Sequence, residues 1–276
     1  MNDSEKKGKI QLFFNESEIN YNCSYNYAFM NWNFDDSLGY NDKNNPTQIL
    51  FDNFKMGNAY IANAIIGLDC IIKNRKNYCV ADTLIFPILF DIWHSIELWL
   101  KSSLKAIELI TDCKEKNNNN HDIVFYLNQL KNRLTDLNMQ NTIDAALPWV
   151  TIFVDEVSRV NAHFDFARYT FGNKGDYQFY NAPLNDKKQW QFLNQNVDDK
   201  RVPNTGVDLN ALLQVVLKIV DSFRTFVEFL LNIISQNEIL NDESYMYYLQ
   251  CKNQLERDMK HENANDIIQL LFLYVL

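Results

Sequence analysis

Three side chains within eight residues carry the strongest chemical signal in the chain. They are His94, Glu97 and Lys101, in the run Phe86-Pro-Ile-Leu-Phe-Asp-Ile-Trp-His94-Ser-Ile-Glu97-Leu-Trp-Leu-Lys101-Ser-Ser-Leu104. Spacings of three, four and seven put them on one stripe of a helix together with Leu98. A base, an acid and a cation on one stripe can move a proton and neutralise developing charge, because imidazole titrates near neutrality. Glu97 and Lys101 also stand in the favourable i, i+4 order. The rest of the run is apolar on nearly every side, which places it in a core or an interface. An unpaired charge there is expensive, so the three polar groups need partners. They therefore read either as a cleft for chemistry or as a buried polar network that fixes helix register.

A second constellation is Arg159-Val-Asn-Ala-His163, again an i, i+4 pair. Histidine can take the proton of a ribose 2′-hydroxyl, and arginine can hold phosphate oxygens bidentately. The same spacing recurs at Arg257 and His261, which shows how readily it arises by chance. His121-Asp122 at the mouth of a helix reads as a binding pair or as an N-cap alone. Arg168, in a glycine-turned aromatic loop, can bind a ligand or anchor the loop by stacking on Tyr169.

Other chemistries find no support. The sequence holds no GxGxxG, GxxxxGK[ST], GxSxG or HExxH. His94-x-x-Glu97 reverses the Glu-x-x-His order of di-iron bundles. Four scattered histidines and five cysteines without a CxxC pair give no zinc spacing. The expectation is no metal and no cofactor.

The net charge of −9 argues against a general electrostatic grip on nucleic acid, while leaving room for one local phosphate pocket. The polar start and the odd cysteine count fit a reduced, cytoplasmic chain. Residues 84–100 and 215–234 are apolar enough to raise the question of a membrane. Asp91, Glu97, Asp221, Arg224 and Glu228 lie within them, so both are read as buried helices and no membrane is expected.

The elements that must position these groups are mostly helical. Only seven glycines and five prolines mark turns, and 47% of the chain is hydrophobic. Residues 1–45 read as irregular and partly β, with a short strand at 9–14. Helices are expected over 47–73, 80–112, 122–138, 141–166, 208–236, 243–260 and 264–275. Pro87 is a possible kink or start, and Pro148 an irregularity. A low-complexity loop spans 115–121, an ordered loop or hairpin 168–180, and a polar connection 181–207.

The stretch Leu84-Ile-Phe-Pro-Ile-Leu-Phe followed by His94-Ser-Ile-Glu97-Leu-Trp-Leu-Lys101 resembles the second helix of bacterial HEPN-domain proteins, with its H-x-x-E-L-x-L-K signature. His121-Asp-Ile-Val-Phe-Tyr-Leu resembles the H-[DN]-L-x-x-L start of their next helix. Arg168-Tyr-Thr-Phe-Gly-Asn-Lys174-Gly resembles the R-Y-P-x-D-K-x-G loop of one subgroup. Together these cover about residues 47–180. The resemblance implies an all-α, up-and-down helical bundle that dimerises and places its polar residues at a shared cleft. It divides the chain into 1–45, a bundle core at 46–180, a linker at 181–207, and helices at 208–276 that complete or extend the bundle.

Many family members are metal-independent ribonucleases of toxin–antitoxin or anti-phage systems. Others are non-catalytic and bind RNA, nucleotides or partner proteins. Catalytic members carry arginine four to six residues before histidine, whereas Arg159 and His163 are separated by three, and Thr170 and Asn173 stand where Pro and Asp are expected. The expectation is a defence- or toxin-type protein that binds or cleaves RNA as a homodimer, with a cognate antitoxin or defence-system subunit as a further partner. The alternative is a non-catalytic interaction module. If it cuts, His163 or His94 is the base, Arg159 or Arg168 holds the phosphate, Glu97 orients and Lys101 neutralises. His121, Asp122, Arg168 and Lys174 are the binding residues carried over from the matching motifs.

Overall fold

The computed structural model describes residues 46–74, 78–113, 121–160, 206–236 and 238–258. The chain divides into two compact units, Met1–Asp42 and Lys43–Leu276, and everything described belongs to the second. The expected strand at 9–14, the loop at 168–180 and the helix at 264–275 lie outside the described residues.

Among the described residues the protein is an all-α bundle without strands. The two longest helices, α1 (Pro46–Lys73) and α2 (Tyr78–Thr111), form its frame. Pro46 opens α1, where its missing N–H costs nothing and its fixed φ suits a helix.

α1 and α2 lie antiparallel, and side chains of α2 stitch onto carbonyls of α1 in descending order. Ser95 Oγ donates to Gly57 O at 2.8 Å, Trp99 Nε1 to Phe54 O at 3.4 Å and Ser102 Oγ to Leu50 O at 3.2 Å. Gly57 is where the helices come closest, since a Cβ there would stand 2.5 Å from Trp99 Nε1. Ile61, Ile65 and Leu68 of α1 are fully buried with Ile92, Ile96, Trp99 and Leu100 of α2, which makes this seam the centre of the core. Pro87 lies inside α2 without ending it. It is exposed at the surface of the bundle. By length and composition Val80–Thr111 could cross a membrane, and more than half of its apolar window is buried inside the bundle.

α3 (Ile123–Asp136) begins at Asp122, whose side chain accepts from Phe125 N at 3.0 Å. It ends at Asn138 in the left-handed region, φ 56°, a conformation asparagine tolerates. The single helix expected over 141–166 is two: α4 (Gln140–Ala146) and α5 (Pro148–Val160). Proline removes a donor, so no bond runs from Pro148 back to Asp144, and Pro148 becomes the first residue of the next helix although Leu147 keeps a helical backbone, φ −100° and ψ −11°. Residues 161–166 lie outside the described residues.

The helix expected over 208–236 runs its length but is not uniform. Asp208 caps α6 (Leu209–Ile219) by accepting from Asn210 N and Ala211 N, both at 3.0 Å. A π-helical turn at Val220–Arg224 then leads into α7 (Thr225–Gln236). Phe223, in that turn, meets Trp99 edge-on at 6.2 Å, so the C-terminal helices close over the α1–α2 seam. α8 (Asp242–Asp258) is tied back to the middle of the chain. Asp242 accepts from Asn141 N, Thr142 N and Thr142 Oγ1 at 3.0, 2.9 and 2.6 Å, capping α4 from a hundred residues away. Tyr245 packs among Phe226 and Phe229.

Candidate functional site

The site is built around one carboxylate. Glu97 sits mid-way along α2 with only 4% of its side chain exposed, because Ser95, Ile96 and Trp99 turn this part of the helix into the core. Its Oε1 accepts from Lys101 Nζ at 2.6 Å and faces His121 Nδ1 at 2.8 Å. Its Oε2 faces His94 Nδ1 at 3.8 Å, a charge contact longer than a hydrogen bond. Burial alone pushes the carboxyl up, but the contacts from His94, Lys101 and His121 outweigh it and hold Glu97 at about 2.

An ionised carboxylate only accepts, so His121 Nδ1 must donate, and its Nε2 is the lone-pair nitrogen when the ring is neutral. The His94 ring is held between Phe90, stacked at 5.5 Å and 12°, and Tyr60 of α1, edge-on at 4.6 Å. Lys101 lies 5.3 Å over the Tyr126 ring of α3. The side chains of His94 and His121 are 25% and 71% exposed, so the buried acid carries two bases that reach solvent.

Sequence reasoning missed the next turn of the same stripe. Asp91, three residues before His94, is buried and accepts from Asn63 Nδ2 of α1 at 2.5 Å. Burial raises its pKa against the lowering effects of Asn63 and His94. The signal was present in the i, i+3 spacing of Asp91 and His94, but nothing in the sequence placed Asn63 opposite.

The other expected residues divide. Asp122 is the N-cap of α3, directly after His121. Arg159 is exposed in the last turn of α5 and donates to Glu156 Oε1 at 2.5 Å, and it is not among the partners of Glu97. His163, Arg168 and Lys174 lie outside the described residues. Among the described residues, no group of three or more His, Cys, Asp or Glu side chains is placed to hold a metal ion.

No family model matches this chain, and neither the curated proteins nor the solved structures contain a match.

Proposed function

We propose that this chain is a HEPN-family protein of a bacterial defence or toxin-type system, one that binds or cleaves RNA at the Glu97 cluster as a cytoplasmic homodimer. One observation carries the reading. His94, Glu97 and Lys101 come from the motif resembling the family's second helix, and His121 from the motif resembling its next helix, yet all converge on a single carboxylate. A structural ion pair needs one cation. This carboxylate has gathered three nitrogen bases, each of them partly open to solvent.

The test is incubation of the full chain with fluorescently labelled single-stranded RNA in EDTA, reading anisotropy and strand length together. Saturable binding, with or without cleavage, that weakens on Lys101→Gln supports the reading. Neither binding nor cleavage contradicts it.

The second reading is a non-catalytic interaction module, with an antitoxin or defence-system subunit as partner. It is favoured by the near-complete burial of Glu97, which suits a register-fixing network. It expects Lys101→Gln to change stability and leave RNA untouched.

A further inference from the structure

Resting on the RNA reading above, we infer that Asp91 is a base-reading residue, whose carboxylate takes the Watson–Crick edge of a guanine in the bound single strand. Asp91 and Glu97 lie within two turns of each other on α2, and both are buried. Their surroundings differ. Three nitrogen groups gather on Glu97 and hold it at about 2. Among the described residues only Asn63 Nδ2 donates to Asp91, onto Oδ2, and burial outweighs that bond and the nearby His94. A carboxylate offers about four lone-pair sites, so most of the acceptor capacity of Asp91 stands unused. An acid that is desolvated yet short of donors favours a ligand that brings them.

The chemistry of the missing donors points to guanine. An ionised carboxylate only accepts. Of the four RNA bases, guanine alone carries two adjacent donors, N1–H and N2–H, on its Watson–Crick edge, and a carboxylate matches them as a pair. Adenine and cytosine turn a ring acceptor towards the acid, and uracil a single donor between two carbonyls. Asn63, reaching across from α1, holds Oδ2 and restrains the carboxylate.

The flanks suit the face of a base as the acid suits its edge. Tyr60, one turn before Asn63 on α1, is partly open to solvent and meets His94 edge-on at 4.6 Å. Ile66, one turn after Asn63, is 52% exposed, and Pro87, one turn before Asp91 on α2, is exposed too. Unpaired bases are held by stacking on such rings and by hydrogen bonds at their edges. A simple cation for the same acid would need no apolar flank.

The test is fluorescence anisotropy of the full chain with short labelled oligouridines, in which one central uridine is kept or replaced by guanosine, adenosine, cytidine or inosine. The guanosine strand is expected to bind about 5- to 150-fold more tightly than the uridine, adenosine and cytidine strands. Inosine keeps N1–H but lacks the N2 amino group, so it is expected to lose much of that preference with the protein unaltered. Asp91→Asn is expected to bind all strands alike while still binding oligouridine. Equal binding of all strands by the wild type, inosine bound as tightly as guanosine, or a guanosine preference that survives Asp91→Asn overturns the base site and leaves the RNA reading standing. Absence of binding by every strand overturns the RNA reading and the base site with it. Binding of a short arginine-containing peptide, without a guanosine preference, overturns the base site in favour of a protein partner.

Discussion

His121 Nδ1 lies 2.8 Å from Glu97 Oε1, joining the entrance of α3 to the middle of α2 across 24 residues. The next residue, Asp122, caps α3 with its side chain and has an extended backbone, φ −86° and ψ 96°. A residue that reads as a helix cap thus stands directly beside the histidine of the site.

That adjacency gives the first prediction. Asp122→Ala removes the cap and should destabilise the protein by about 1 kcal/mol. It should also loosen His121 from Glu97, which histidine side-chain NMR reads as loss of the Nδ1-protonated tautomer. A variant that loses stability while His121 keeps that tautomer would separate the two.

The second prediction concerns acid. Glu97 is held at about 2 in the fold against an ordinary value of 4.5, so the fold favours its ionised form. Its contribution is complete above about pH 4.5 and is lost as pH falls toward 2, amounting to about 3 kcal/mol across that window. Urea unfolding at pH 7 and at pH 3 should show a smaller acid loss in Glu97→Gln than in wild type. Equal losses in both would mean the carboxylate is not held by its three partners.

Close packing supplies the third. Gly57→Ala gains about 1 kcal/mol of helix propensity but puts a methyl 2.5 Å from Trp99 Nε1 and 2.6 Å from its Cδ1. Trp99 is fully buried and hydrogen-bonded to Phe54 O, so the seam must open, at a cost of about 1–3 kcal/mol. The net effect should be a lower thermal midpoint. A midpoint at or above wild type would show that the seam yields.

The fourth prediction falls on a buried ion pair. Arg224 Nη1 donates to Glu228 Oε2 at 3.2 Å over the Phe54 ring, while Nε and Nη2 make no hydrogen bond among the described residues. Removing one partner strands a buried charge, so Arg224→Met should cost about 3–5 kcal/mol. Replacing both as Arg224→Met with Glu228→Leu should recover most of that loss, because desolvation is then relieved on both sides. Additive losses in the double-mutant cycle would contradict this.

Much of the frame was legible in the sequence. The 3.6-residue period set α1, α2 and α3, and Asp122 and Asp208 announced their own caps. The break at Leu147 could be read only in part, since Pro148 cannot donate back into a helix, yet Pro87 lacks the same donor and α2 runs through it. The π turn at Val220–Arg224 could not, because its residues, Val-Asp-Ser-Phe-Arg, carry no glycine or proline to mark it. In the site, His94, Glu97 and Lys101 were found by spacing, whereas the contact of His121 with Glu97 depends on how α3 approaches α2. Asp91 and Asn63 escaped for the same reason: a pair across two helices leaves no trace in either period.

The central claim is that RNA engages the Glu97 cluster, and its most direct test is the histidine side-chain NMR spectrum of the full chain during titration with a short single-stranded RNA. The chain has four histidines, so His94→Gln and His121→Gln assign the two signals of interest. The account predicts that the His94 and His121 ring resonances move together and saturate, and that Lys101→Gln weakens the response. Resonances of His94 and His121 that stay fixed at saturating RNA would contradict it.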